Sequence, residues 1–385
     1  MVKRIAMVAG EASGDLLASH LIRALRTTYP DAEFFGIGGP RMEEEGFHSL
    51  WSCERLAVHG YVDALKRYRE LSQIRRALLQ RILGERPDAF IGVDAPDFNF
   101  WLERRCRDAD IPAIHFVGPS IWAWRGGRIR TIARSVSHML CLFPFEPPLY
   151  EKAGVPVTYV GHPFADTFPM EPNRALAREM LHIAEDVAVI AMLPGSRESE
   201  VRNLADIYIK TAQELAGRRE VVVLVPLTTR KTRDIFEQAL YDASAGELPL
   251  RILFGHAVEA MTAADVVLVA SGTASLEAAL LKRPMVVSYR IGKWQFRLLE
   301  RMAYLPWIGL PNILFGEEVV PELLQDKAEP KALADALEHW LDDKDARARL
   351  KVRFTELHHS LRQDTASKAA QAILPYLEDG PKKHE

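Results

Sequence analysis

The chain has 385 residues, 48% of them hydrophobic and 26% charged, a balance that belongs to a folded globular protein and excludes a disordered one. The formal net charge of -3 gives no overall basic field, so nucleic acid is not an expected partner. Cys53, Cys106 and Cys141 lie far apart, with neither metal-ligand spacing nor a disulfide framework, as in a reducing cytoplasm. The length suggests two domains or three. No stretch approaches the ~20 apolar residues of a spanning helix, and the N-terminus reads as the start of a strand, with no long apolar segment and cleavage site in it. The expectation is a soluble protein, or one seated on a membrane without crossing it.

Strand and helix signals alternate along the chain. A strand is predicted over 4–9, then the turn Gly10-Glu11-Ala12-Ser13-Gly14-Asp15, then a helix to about Arg26. Further strands are predicted over 33–37, 89–93, 113–117, 138–143 and 157–160, with helical periodicity over 63–83. The Pro- and acid-containing stretch 168–173 reads as a linker, after which strands recur over 187–192, 220–225, 251–254, 266–269 and 285–289. Strands separated by helices imply parallel sheets with right-handed crossovers. The restart implies an α/β protein of two doubly wound, Rossmann-like domains facing a cleft, with ligands at the carboxyl ends of strands. The expected division is 1–168, 169–340 and a helical tail 341–385.

Small residues follow the strand over 266–269: Ser271, Gly272, Thr273, Ala274 and Ser275, then the helix formers from Leu276 onward. Such a turn presents bare N–H groups at the positive end of a helix, where a nucleotide diphosphate can approach without a P-loop lysine. Glu277 reads as about a turn and a half into that helix, within reach of ribose hydroxyls. Ordinary α/β packing produces similar turns. Pro194-Gly195-Ser196-Arg197 follows another strand; Gly195 lets the backbone come close and Arg197 can clamp a phosphate bidentately. Phe254 and Gly255 end a third strand and can present backbone groups to a base edge, although a plain loop reads as well.

The turn at 10–15 has neither the dinucleotide fingerprint nor a Gly-Lys-Ser/Thr, so neither NAD nor an ATP P-loop is supported. Glu11 is unwelcome beside a phosphate and is assigned to the acceptor side, where it can bond a hydroxyl; Ser13 or Asp15 can serve as an N-cap. Asp94-Ala95-Pro96-Asp97 places two carboxylates at a strand end. Asp97 or Asp94 can act as general base on an acceptor hydroxyl, can share a Mg²⁺, or can simply be turn residues. The histidines show no metal spacing, and His115, in an apolar strand, reads as a core histidine. No cofactor and no resident metal are expected.

In the helix over 63–83, Leu65, Tyr68, Leu71, Leu78 and Ile82 recur at helical spacing among Arg69, Arg75, Arg76 and other cations. This is either an interfacial helix, apolar in lipid and cationic on anionic headgroups, or an amphipathic helix packed on its own sheet. The basic, aromatic segment 289–307 is a second membrane-facing patch or a subunit contact.

Several blocks in order resemble the lipid-A-disaccharide synthase family: AGEASGD at 9–15, GGPRM at 38–42, GVDAPDFN at 92–99, PSIWAWR at 119–125, LFPFEPP at 142–148, LPGSR at 193–197, ASGTASLEAAL at 270–280, PMVVSYR at 284–290 and LPN at 310–312. The resemblance implies a GT-B-like fold and an inverting transfer of 2,3-diacylglucosamine from its UDP derivative onto 2,3-diacylglucosamine 1-phosphate, giving a β-1,6-linked disaccharide and UDP. It implies Asp97 as base, Glu11 and Asn312 as further active-site residues, Ser196 and Arg197 at the diphosphate, and Ser271 to Ser275 with Glu277 around UDP. It also implies a homodimer with exchanged C-terminal segments. The partner surface it implies is the inner face of the cytoplasmic membrane, which raises the interfacial reading of Leu65, Tyr68, Arg69, Leu71, Arg75 and Arg76. Ser199 and Glu200 receive no role. A UDP-sugar epimerase of the same layout and a non-catalytic UDP-sugar or lipid binder remain as alternatives.

Overall fold

The computed structural model describes residues 2–56 and 61–378, with side chains left undescribed over 61–66. Among these residues the chain divides into two compact units, 2–166 with 360–378, and 167–359.

The first unit carries a seven-stranded sheet: β1 (Arg4–Ala9), β2 (Glu33–Gly38), β3 (Phe47–Ser52), β4 (Ala89–Val93), β5 (Ala113–Phe116), β6 (His138–Cys141) and β7 (Val157–Tyr159), in the order β3-β2-β1-β4-β5-β6-β7. Every neighbouring pair is parallel, including β1 with β4, where Ile5 faces Ala89. Ile5 to Ala9 and all of β4 are buried, as strands covered on both faces must be, which explains their unbroken apolar sequence. Direction reverses between β1 and β4, so the loops after their carboxyl ends form the crevice of a doubly wound sheet. Four helices matter for it: α1 (Ala12–Thr28), α2 (Pro40–Glu44), α3 (Tyr61–Glu85) and α4 (Pro96–Asp108). The helix Thr365–Glu378 packs Ala369, Ile373 and Leu377 into the same core as Leu21, Ile22 and Leu25 of α1.

The second unit repeats the pattern with six parallel strands: β8 (Ala188–Leu193), β9 (Val221–Leu227), β10 (Leu250–Phe254), β11 (Val266–Val269), β12 (Met285–Tyr289) and β13 (Glu322–Leu324), in the order β10-β9-β8-β11-β12-β13. Its reversal falls between β8 and β11, the strands that precede Arg197 and Ser271.

Two strands lack the signals that marked the others. The edge strand β3 is mostly half-exposed, and its register with β2 breaks between Gly36 and Ile37. The strand β13 has three residues, all half-buried. The N-cap reading at 10–15 is corrected. Glu11 is the N-cap of α1, while Asp15, 2% exposed, reaches across to accept from Gly39 N (2.9 Å), Arg41 N (3.0 Å) and Met42 N (3.1 Å) at the start of α2. Asp15 therefore ties the block at 9–15 to the block at 38–42. Among the described residues no helix is long and apolar enough to cross a membrane.

Candidate active site

In the first unit a cavity of ≈ 480 Å³ opens at the carboxyl ends of β1 and β4. It brings together Glu11, Asp94 and Asp97 with Tyr68, Leu71 and Arg75, which are separated by up to 86 positions in sequence, from 11 to 97. Three carboxylates thus share a wall with an aromatic, an aliphatic and a cationic side chain. Glu11, at the head of α1, makes no side-chain capping bond.

The loop carrying the carboxylates has an unusual backbone. Asp94 and Ala95 both have left-handed φ, +53° and +43°, although neither is glycine. Two such residues in a row cost a few kcal/mol, about 1–3 each, and persist only where surrounding structure dictates them. Pro96 starts α4 and Asp97 stands in its first turn. The Asp97 side chain is 86% exposed, and its Oδ1 accepts from the Arg128 guanidinium. Sequence reasoning missed Arg128, because nothing in the spacing between 97 and 128 signals their meeting.

On α3 the interfacial and packing readings divide along the helix. Ile74, Leu78 and Ile82 are buried against Phe90 and Leu102, so Leu78 and Ile82 belong to the core and are corrected as lipid-facing residues. Nearer the N-terminus Tyr68 and Arg69 are exposed, as is Arg76, and Leu71 is half-buried. Arg75 lays its guanidinium over the Trp101 ring at 4.6 Å, and burial pushes its proton affinity down. Leu65 lies outside the described side chains. In the second unit the helix Lys293–Met302 buries none of its side chains; Trp294 is 82% exposed.

The small-residue turn of the second unit caps the helix Thr273–Leu280 through Gly272, whose φ of +111° suits only glycine. Ser271 and Ala274 are half-buried and Thr273 exposed. Helix geometry leaves the first N–H groups, Thr273 and Ala274, without intrahelical acceptors. Ser275 is fully buried: its N–H and hydroxyl both donate to Gly272 O (3.2 and 2.8 Å), and its Oγ accepts from Leu310 N (3.2 Å). Glu277 is half-buried, and burial raises its carboxyl above the ordinary value.

Asn312 turns inward. Its fully buried amide accepts from Val319 N (2.7 Å) and Val320 N (3.0 Å) and donates to Val320 O (2.9 Å) and Glu322 Oε1 (2.8 Å), which leaves nothing for a substrate. Glu322 in turn accepts from Ile308 N and Gly309 N (2.9 and 3.0 Å), and Gly309 pairs with Gly272. Asn312 therefore fixes the loop that braces the small-residue turn.

At the end of β8, Arg197 is the N-cap of the helix Glu198–Ala216 and its side chain is 78% exposed. Glu200 folds back over this helix start. Its Oε2 accepts from Ser196 N (3.1 Å) and Arg197 N (3.2 Å), and its Oε1 pairs with Arg197 Nη1 (3.2 Å). The N–H groups of Ser196 and Arg197 thus already hold a carboxylate, while the arginine head remains accessible. Phe254 is exposed at the end of β10, followed by Gly255 at φ +74°. Among the described residues no group of three or more His, Cys, Asp or Glu side chains could hold a metal ion.

The fold is shared with enzymes of nucleotide-sugar chemistry. A UDP-GlcNAc 2-epimerase from Neisseria meningitidis bound to UDP-GlcNAc superimposes with a TM-score of 0.60 at 11% identity, over 97% of this chain and 99% of that one. The calicheamicin glycosyltransferase CalG4 does so with a TM-score of 0.60 at 15% identity, over 98% and 99%. At such identities these likenesses establish the GT-B-like fold alone. Sequence decides more. The family model for lipid-A-disaccharide synthetase matches residues 5–375. The lipid-A-disaccharide synthase of Aromatoleum aromaticum is 73% identical over 382 residues, 99% of this chain and 98% of the relative, and that of Azoarcus sp. is 71% identical over 378 residues, 98% and 97%. The chain belongs to the lipid-A-disaccharide synthase family, glycosyltransferases of lipid A biosynthesis.

Proposed function

We propose that the chain condenses UDP-2,3-diacylglucosamine with 2,3-diacylglucosamine 1-phosphate, with Asp97 or its neighbour Asp94 taking the proton of the acceptor's 6-hydroxyl. As that proton leaves, the oxygen attacks the anomeric carbon of the donor from the face opposite the diphosphate. The bond from that carbon to the diphosphate oxygen breaks, the configuration inverts, and UDP departs with the electron pair. The observation that carries this reading is the single cavity holding Glu11, Asp94 and Asp97 beside Tyr68, Leu71 and Arg75. An acceptor that is a sugar at one end and acyl chain at the other needs carboxylates and an apolar, cationic wall together.

The donor belongs to the second unit in this reading. The open N–H groups of Thr273 and Ala274 and the guanidinium of Arg197 meet the diphosphate and the charge it gains on leaving, and Glu277 meets ribose. Phe254 and Gly255 border the uracil. Tyr68, Arg69 and Arg76 on α3 and Trp294 on the helix Lys293–Met302 seat the enzyme on the inner face of the cytoplasmic membrane, since all four are exposed. A homodimer completes the proposal.

The test is incubation of purified protein with both lipid substrates in detergent micelles containing EDTA, with products read by mass spectrometry. Disaccharide 1-phosphate and UDP are the expected products. Product only after Mg²⁺ is restored would recast Asp94 and Asp97 as metal ligands, and conversion of the donor alone would replace transfer by epimerisation.

A further inference from the structure

The left-handed Asp94–Ala95 turn is held by strand β5 on one side and by helix α4 on the other. At its start, Asp94 N donates to Phe116 O of β5 (2.8 Å). At its end, Asp94 O accepts from Asn99 Nδ2 of α4 (2.8 Å). Asn99 is fully buried, and one helical turn further on, on the same face, Glu103 is fully buried as well. Glu103 Oε1 lies 2.6 Å from Nδ1 of His115, the residue before Phe116 on β5, and that imidazole is also fully buried. Strand β5 thus holds the turn directly through Phe116, and its His115 pairs with Glu103 on α4, one helical turn from the Asn99 that holds the Asp94 carbonyl.

The surrounding residues are shaped to admit this chain. Gly92 of β4 faces His115 in the sheet register. A Cβ on Gly92 would sit 2.2 Å from Glu103 Oε1 and 2.9 Å from Asn99 Cβ, so only glycine lets α4 bring both side chains against the strand. A Cβ on Gly10 would sit 2.5 Å from Ala95 Cβ, so the left-handed turn fills space that Gly10 leaves. A carboxylate and an imidazole taken wholly out of water contribute little net stability compared with an apolar pair of the same volume. What they contribute is a fixed register of α4 on β5, and that register aims Asn99 at the Asp94 carbonyl.

We propose that Asn99, Glu103 and His115 are positioning residues, which hold the Asp94–Ala95 turn in its left-handed form and so set where the Asp97 and Asp94 carboxylates meet the acceptor hydroxyl. The proposal rests on the reading of one of those carboxylates as the base.

The test compares four variants of the full chain in the transfer assay: Asn99→Asp, Glu103→Gln, the double replacement Glu103→Leu with His115→Leu, and Asp97→Asn. UDP titration and thermal unfolding accompany each. The aspartate keeps the shape of Asn99 without its N–H donor. The leucine pair removes the buried chain and leaves neither partner's polar atoms behind, so it answers even where Asn99→Asp fails to fold. Asn99→Asp and the leucine pair are expected to lower kcat about 10-fold or more, the scale of a misplaced reacting group. Acceptor KM and UDP affinity should stay within about two-fold, as a loss confined to turnover requires. Glu103→Gln retains an oxygen for His115 Nδ1 and is expected to keep most of the turnover. A folded leucine-pair variant with wild-type kcat per folded molecule, altered only in unfolding temperature, would overturn the proposal. Loss in Asn99→Asp beside wild-type turnover in Asp97→Asn would uphold the positioning role and move the base to Asp94. Wild-type turnover in both would overturn it.

Discussion

Arg128 donates to the carboxylate of Asp97, and its guanidinium also stands over the Phe100 ring at 5.9 Å. The carboxylate proposed as base is therefore oriented from outside its own helix. Asp97→Asn removes the proton acceptor and is expected to lower kcat by ~10²–10⁴, the usual cost of a lost general base, with UDP affinity unchanged. Arg128→Met keeps the carboxylate and removes its partner, so its effect on kcat should be smaller. The pair is largely exposed on the Asp97 side, and its loss should change stability by less than ~1 kcal/mol. Steady-state kinetics and UDP calorimetry on the two variants check both statements; equal kcat in Asp97→Asn and wild type would remove Asp97 from the chemistry.

Arg197 and Glu200 divide the work at the end of β8. Arg197→Ala removes an accessible guanidinium and is expected to weaken UDP binding roughly 10- to 150-fold, the ~1.5–3 kcal/mol span of hydrogen bonds to charged groups. Glu200→Ala removes the acceptor for Ser196 N and Arg197 N and should cost about 1 kcal/mol of stability, as a lost N-terminal cap does. Its effect on UDP has the opposite sign, because it uncovers two N–H groups at a helix start and removes a negative charge near the diphosphate. Calorimetric titration of UDP into each variant separates them; identical affinities in wild type and Arg197→Ala would remove the diphosphate role.

The two-sheet architecture was legible because parallel strands buried on both faces must be apolar throughout, and eleven of the thirteen described strands announce themselves this way or close to it. The edge strands Phe47–Ser52 and Glu322–Leu324 escape because they are half-exposed, and the shorter has three residues. Within the site, Asp94, Asp97 and Glu11 were legible from their place at strand ends. Ser275 was read from its turn and Asn312 from the resemblance, yet neither signal says whether a polar group faces a ligand or its own backbone; both turn inward. Glu103 escaped because its partner His115 lies on another element, 12 positions along. The signal was present in part: Asn99 and Glu103 are polar at helical spacing on the face that also carries Phe100 and Cys106, and polar residues in such a place need partners.

Arg178 anchors the second unit. It is fully buried, and it donates to Ala263 O (3.0 Å), Ala184 O (3.0 Å), Glu185 O (2.9 Å) and Val187 O (2.9 Å), and to Asp265 Oδ2 (2.8 Å). Asp265 Oδ2 also accepts from Val189 N at the head of β8 (2.9 Å). Arg178→Ala would leave buried carbonyls without donors and is expected to cost about 3–5 kcal/mol, the scale for breaking a buried charged pair. Arg178→Lys cannot span the same five acceptors and should recover little of it. Urea unfolding measures both; a loss below about 1 kcal/mol in Arg178→Ala would show that the network contributes shape and not stability.

Glu146 gives the first unit a pH dependence of defined sign. Its carboxylate is 1% exposed and accepts from Leu142 N (3.1 Å), Phe143 N (2.9 Å) and the Trp122 side chain. Burial outweighs these bonds and pushes the carboxyl up from 4.5 to about 7. Between those values the folded chain holds a proton that the unfolded chain has released, so rising pH lowers stability. The penalty is absent below about 4.5, grows through the interval and is complete above about 7. At 1.36 kcal/mol per unit it amounts to roughly 3 kcal/mol. Glu146→Gln keeps an oxygen for the two backbone N–H groups and carries no ionisable proton. Relative to wild type, this variant should gain roughly 3 kcal/mol in urea unfolding between pH 4.5 and pH 7.5, whatever its stability at the acid end. Parallel stability curves for the two proteins across that interval would mean that Glu146 ionises in the folded chain as it does in the unfolded one, and that the hydrogen bonds from Leu142, Phe143 and Trp122 fully offset its burial.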